Sequence, residues 1–204
     1  MNQEEIHKKF GDDFVANEHT FKLGIDHRFT KHFAHRFQSR KILETCTGAG
    51  FTTISMAHVA DHVTTVEINP SHQAQARENV KKAGLIDNVT FISGDILDED
   101  LLKKLPPVDA AFLDPDWADT GPDHKYRFIN SNTQPPADDL LDRIYKITKN
   151  IALVLPPYID IKELEMLPNN EREKLYIGGS HELYCLYFSE LINSVGETEY
   201  RVRI

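Results

Sequence analysis

The chain has 204 residues, 40% of them hydrophobic and 27% charged, and a formal net charge of −9. This is the balance of one globular domain with a modest extension, and it excludes collagen, coiled coil and wholesale disorder. No stretch approaches the ~18 apolar residues of a membrane span, the charged opening MNQEEIHKKF lacks the apolar core of a secretion signal, and the acidic total excludes a broad nucleic-acid-coating surface.

Two cysteines, Cys46 and Cys185, supply neither a disulfide framework nor a four-ligand zinc site. The expectation is a soluble, cytoplasmic protein with no membrane partner and no metal. Residues 1–41 carry eight Lys/Arg against six Asp/Glu, a surplus of two, which leaves −11 for residues 42–204. Five of the ten histidines (His7, His19, His27, His32, His35) lie there too. Residues 1–40 read as a helical extension, either solvated or turned toward an anionic ligand.

From Lys41 onward, short apolar runs alternate with helix-like stretches. Strands are expected at 41–46, 62–68, 88–93, 108–113 and 150–155, each apolar enough to be buried on both faces of a parallel sheet covered by helices. A helix is expected after the second strand, with Asn69 as N-cap, Pro70 at its first position, Gly84 just past its end, and Ala76, Val80 and Ala83 on one face. Another spans 138–148, with Leu140, Leu141, Ile144 and Ile147 as its stripe. After a helical segment from about Ile161, strands at 172–178 and 181–189 are joined too closely for a parallel crossover, so they pair antiparallel at a sheet edge. The tail 199–204 adds a strand or hangs loose. Residues 117–136 form the longest irregular stretch, and long loops of this kind are usually functional. Within it, Lys125, Tyr126 and Arg127 read either as a phosphate grip or as a solvated loop.

The chemistry collects where strands end. The first strand runs into Glu44-Thr45-Cys46-Thr47-Gly48-Ala49-Gly50, and glycines between a strand and a helix let backbone N–H groups approach a ligand. The third glycine of the dinucleotide fingerprint is replaced by Thr53, which argues against hydride transfer. The second strand ends in Val66-Glu67-Ile68-Asn69, where Glu67 could accept from both ribose hydroxyls or serve as a cap. The third ends in Ser93-Gly94-Asp95-Ile96, where Asp95 could accept from an adenine amino group beneath Ile96, or cap a helix. Together the three ends describe a nucleoside pocket. The fourth strand ends in Leu113-Asp114-Pro115-Asp116-Trp117. An exocyclic base amine is a poor nucleophile because its lone pair is delocalised. The Asp114 carboxylate and the Pro115 carbonyl can accept its hydrogens and turn that lone pair toward an electrophile, while Trp117 stacks on the base for ~1–3 kcal/mol.

This run of motifs resembles the class I S-adenosylmethionine-dependent methyltransferases, and most closely the trimethylguanosine synthase family of RNA cap guanine-N2 methyltransferases. The resemblance covers roughly residues 20–192. It rests on the Glu44–Gly50 loop, Glu67-Ile68-Asn69-Pro70, Phe91-Ile92-Ser93-Gly94-Asp95 and Phe112–Trp117, and also on 147–151 and 187–192. It implies an α/β, Rossmann-like class I methyltransferase fold: a mostly parallel seven-stranded sheet with an antiparallel edge strand and helices on both faces. The methyltransferase domain would span 41–192, residues 1–40 would close over the active site, and 193–204 would form a tail.

The resemblance implies S-adenosyl-L-methionine as cofactor, bound by Thr30, Glu44, Cys46, Thr47, Gly48, Gly50, Glu67, Ile68, Asp95 and Ile96. Asp114, Pro115 and Trp117 would be the catalytic residues, acting on guanine N2 of an RNA or nucleotide presented as an end or an unstacked base. The family has Ser at the position of Asp114, a second Pro at that of Asp116, and a Pro-Glu after the threonine corresponding to Thr30. Competing readings are methylation of another amine (rRNA guanine, DNA adenine, protein glutamine or a small metabolite) and a non-catalytic nucleotide binder. The oligomeric state is left open.

Overall fold

The computed structural model describes residues 2–117 and 125–203, and it divides into two compact units, Met1–Asp109 and Ala110–Ile204. The first unit opens with helices α1 (Gln3–Phe10), α2 (Glu18–Leu23) and α3 (His27–Ala34). Asn2 and Asn17 cap the first two through reciprocal side-chain and backbone bonds, which explains why so polar a segment is helical. It continues through β1 (Lys41–Thr45), α4 (Phe51–Ala57), β2 (His62–Glu67), α5 (Pro70–Lys82), β3 (Val89–Ser93) and α6 (Glu99–Leu102).

The three strands pair in parallel in the order β3-β2-β1, as the alternation of apolar runs and helices implies. β1 and β2 are almost wholly buried, whereas β3 is not: Thr90 and Ser93 are exposed. Expecting burial on both faces therefore fails at β3, the terminal strand of this order. Helix α5 matches its sequence signals. Asn69 Oδ1 accepts from Ser71 N at 2.9 Å, Ala76 and Val80 are buried, and Gly84 follows the end at φ 75°.

The N-terminal segment is an integral part of this unit. The Phe10 ring stacks on Phe51 of α4 with centroids 3.5 Å apart and planes 11° from parallel. Gly24 sits so close that an added Cβ would lie 2.7 Å from both rings. Asn79 of α5, fully buried, donates to Val15 O (2.8 Å) and Ala49 O (2.9 Å) and accepts from Val15 N (2.7 Å). One side chain thus ties the extension to the glycine loop and satisfies the buried Ala49 carbonyl.

The second unit contains β4 (Ala110–Leu113), α7 (Ala137–Ile144), β5 (Ile151–Leu155), α8 (Ile161–Leu164), β6 (Asn170–Ile177), β7 (Ser180–Phe188) and β8 (Gly196–Val202). Its strand order is β4-β5-β7-β6-β8. β4 and β5 are parallel, β7 runs antiparallel to β5 and β6, and β8 is parallel to β6. The β6–β7 hairpin forms as expected. Its turn residues Gly178 and Gly179 both have positive φ, which suits a two-residue connection. It does not end the sheet, however, because the tail adds β8 outside β6.

The cause lies in β6. Buried Glu171 accepts from Asn193 N (2.8 Å), Ser194 N (3.3 Å) and Thr198 Oγ1 (2.9 Å), drawing the tail alongside. Helix α7 buries Leu140, Leu141 and Ile144 but ends there, so the expected fourth member of its stripe, Ile147, is 37% exposed. No helix among the described residues is long and apolar enough to cross a membrane.

Candidate active site: a cofactor cradle and an acceptor loop

The cradle lies in the first unit. β1 ends abruptly because Cys46 adopts φ +61°, a conformation that non-glycine residues rarely take and that recurs at functional turns. Thr47, Gly48 and Gly50 complete the reversal into α4, with Gly48 at φ +55° and Gly50 at φ +82°. The two glycines serve different ends. A Cβ at Gly48 would meet nothing within 4 Å, so this backbone faces open space where a ligand could approach. A Cβ at Gly50 would lie 3.0 Å from Ala76 Cβ and 3.1 Å from its Cα, so glycine there lets α5 pack against the loop.

Glu67, at the end of β2, fixes this loop. Its Oε2 accepts from Gly48 N and its Oε1 from Asn69 N, each at 2.8 Å. His72 Nδ1 lies 4.0 Å from Oε1, and a carboxylate has about four lone-pair sites, so acceptor capacity remains for donors such as vicinal hydroxyls. Beside it, Ile68 is 67% exposed, an apolar side chain left in the open at a strand end. Asp95 is exposed and its Oδ1 accepts from Leu97 N at 2.8 Å; it caps a turn, while Asp98 caps α6. Ile96 is buried.

Three residues expected to touch the cofactor are occupied inside the protein. Glu44 is buried in β1, where Thr53 Oγ1 donates to its Oε2 at 2.6 Å. Burial pushes its carboxyl up to about 7, opposed by hydrogen bonds from Thr53 and Thr65 and helped by the neighbouring charge of Glu67. Thr47 Oγ1 lies 2.5 Å from Thr65 Oγ1. Thr30 is fully buried on α3, 2.6 Å from Ser55 Oγ of α4 and 3.2 Å from His27 O. These side chains brace the loop and its helix from beneath.

The Asp114–Trp117 motif lies in the second unit. Asp114 and Trp117 are partly exposed and Pro115 is buried, directly after β4. Asp116 is tied down through its backbone: its N donates to Gln134 O (2.8 Å) and its O accepts from Gln134 N (2.9 Å). Residues 118–124 of the long irregular stretch lie outside the described residues. Beyond them, Tyr126 is buried and its hydroxyl donates to Trp117 O, while Arg127 Nε is 3.2 Å from Glu163 Oε1. Tyr126 is therefore no solvated loop residue, whereas Lys125 and Arg127 are exposed.

Glu163 of α8 also accepts from Phe128 N (2.6 Å) and Ile129 N (2.9 Å). These backbone bonds, first that of Ile129, and the Arg127 guanidinium hold its carboxyl below the ordinary carboxylate range. Glu163 and Asn79 are the organising residues that sequence reasoning missed. Among the described residues, no group of three His, Cys, Asp or Glu side chains gathers as metal ligands.

A family described as RNA cap guanine-N2 methyltransferase matches residues 39–204. A catechol O-methyltransferase of Mycobacterium tuberculosis is 37% identical over 86 residues, which is 41% of this chain and 39% of that protein. A crystal structure from Porphyromonas gingivalis W83, assigned to the methyltransferases, superposes with a TM-score of 0.75 at 15% identity, covering 95% of this chain and 49% of that one. The O-methyltransferase TomG from Streptomyces achromogenes, solved with S-adenosylmethionine, superposes with a TM-score of 0.59 at 18% identity, covering 92% of this chain and 98% of that one. The chain spans less than half the length of the curated relatives it matches. The fold is the Rossmann-like class I methyltransferase fold.

Proposed function

The chain belongs to the RNA cap guanine-N2 methyltransferase family, and from that premise we propose that it methylates an exocyclic amine, guanine N2 of an RNA or nucleotide, with S-adenosyl-L-methionine as donor. The observation that carries this reading is Asp114-Pro115-Asp116-Trp117 at the carboxyl end of β4, held by the Asp116–Gln134 backbone pair. When bound, S-adenosyl-L-methionine supplies a methyl group already activated by a positive sulfur, so the protein's task is to position and orient the acceptor.

The cradle suits such a cofactor. Gly48 offers backbone facing open space, Glu67 has lone pairs left for ribose hydroxyls, Ile68 is an exposed apolar surface for a purine, and Asp95 is exposed beside buried Ile96. Glu44, Thr47 and Thr30 act from behind by holding Thr53, Thr65 and Ser55. In this reading residues 1–40 close over the site.

Asp114 and the Pro115 carbonyl accept the amine's hydrogens and turn its lone pair outward, and Asp114 balances the positive charge that grows on nitrogen. Losing one such preorganised contact costs ~2.7–4 kcal/mol. Trp117 supplies the stacking face. The −11 carried by residues 42–204 favours an unstacked base or a free nucleotide over a duplex. The test is a labelled-methyl transfer screen over RNA, capped nucleotides, DNA and protein, run with Asp114→Ala and Trp117→Ala. The expected outcome is transfer to guanine N2, reduced at least ~100-fold by Asp114→Ala with cofactor affinity by calorimetry nearly intact, and a raised KM for Trp117→Ala. Near-normal turnover in Asp114→Ala, or transfer to another acceptor alone, would overturn this assignment.

A further inference from the structure

The strand β8 is paired on one side only. Its partner is β6, and no other strand among the described residues lies against it. The orientation of its backbone follows from one bond. Gly178 N donates to Val202 O at 3.2 Å while Ile177 stands opposite Val202, so Val202 turns its N–H and C=O toward β6. Peptide groups alternate along a strand, so those of residues 197, 199, 201 and 203 point away from the sheet. Such an exposed row is a template for a further strand.

The side chains of these same residues form the exposed face of the strand: Glu197, Glu199, Arg201 and Arg203. The charges are ordered, two acids followed by two bases. Set antiparallel to itself about Tyr200, the strand places Glu197 opposite Arg203, Glu199 opposite Arg201, and the same two pairs again in reverse. All four positions are then hydrogen-bonded pairs built from outward-facing peptide groups, and every one joins opposite charges. On the other face, Thr198 meets Val202 and Tyr200 meets its own copy. A shift to centre the pairing on residue 199 would bring Glu199 against Glu199 and lose this match. A strand whose charges serve only to repel neighbours has no need of self-complementary order.

We propose that β8 pairs edge to edge with the β8 of a second copy of this chain, in antiparallel register centred on Tyr200, making a two-fold dimer through a continuous sheet. The interface is isologous, as such dimers require. At present Glu197 accepts from Lys174 Nζ (3.0 Å), and Arg201, 3.9 Å over the Tyr176 ring, has Nη2 2.8 Å from Glu199; the Glu199–Arg201 pair is exposed and costs little to rearrange.

The experiment is sedimentation equilibrium of the full chain up to about 100 μM, a range suited to an interface of modest area, with two double variants. Glu197→Arg/Glu199→Arg makes the outer row wholly basic, and Arg201→Glu/Arg203→Glu makes it wholly acidic. The expected result is a dimer for the parent chain, monomers for each variant alone, and recovery of the dimer on mixing the two. A third variant guards against loss of fold. Glu199→Pro removes an outward N–H that β6 does not use, so it should keep the parent melting curve and become monomeric. A parent chain that stays monomeric, a Glu199→Pro dimer, or variants that fail to recombine would overturn the proposal.

Discussion

Glu44 offers the most quantitative test of how the cradle is built. Its carboxyl is buried in β1 beneath the glycine loop and pushed from an ordinary 4.5 up to about 7, chiefly by desolvation. At about 1.4 kcal/mol per pKa unit, ionised Glu44 costs the fold on the order of 3 kcal/mol. The direction is fixed by proton binding. Below pH 4.5 the group is neutral in both folded and unfolded chains and there is no penalty. Between 4.5 and about 7 the unfolded chain releases its proton while the folded chain keeps it, so stability falls as pH rises; above about 7 the full penalty is reached. Glu44→Gln removes the titration while keeping an oxygen to accept from Thr53 Oγ1. Any packing cost of the amide is independent of pH, so the informative quantity is the change in the parent–variant difference. Urea titrations at pH 4.5, about 6 and about 8 should show the variant gaining about 3 kcal/mol relative to the parent from the lowest to the highest pH. A difference that stays flat across this range would refute the assignment of a proton to buried Glu44.

The two loop glycines should respond unequally to alanine. Gly48→Ala, at φ +55° with open space around it, should cost about 1 kcal/mol of stability but weaken cofactor binding, whereas Gly50→Ala adds a 3.0 Å contact with Ala76 Cβ and should cost about 2–4 kcal/mol; melting curves and calorimetry separate the two effects. Asn79→Ala leaves Val15 N, Val15 O and Ala49 O without their partner and should cost about 2–3 kcal/mol, with faster hydrogen exchange at the Val15 amide than at residues of β2.

The sequence announced the parts of this structure whose causes are local. Short apolar runs mark β1, β2, β4 and β5 within a residue or two, and the Asn69, Pro70 and Gly84 signals mark α5 because each acts on its own backbone. Residues joined by remote partners were not legible. Asn79 reads as a solvated helix residue until Val15, 64 positions away, arrives beside it. Glu163 likewise reads as a surface acid, and only its bonds to Phe128 and Ile129 show it anchoring a loop. Thr30 and Glu44 were expected at the cofactor and instead bond Ser55 and Thr53, because a one-dimensional pattern does not tell a side chain facing a ligand from one holding its neighbour. β8 was a short polar alternation whose pairing was settled by Glu171, an acid that has no reason to be buried until the tail folds over it.

The face-to-face Phe10 and Phe51 rings carry a consequence for where this protein can be cut. The family match covers residues 39–204, but the packing of the first unit begins at α1. A chain trimmed to the matched residues would turn Phe51 out to water at the mouth of the glycine loop and strip Asn79 of two of its bonds. Shortened versions should therefore be sticky and quick to precipitate, because the first forty residues are the missing wall of a core rather than an ornament upon it.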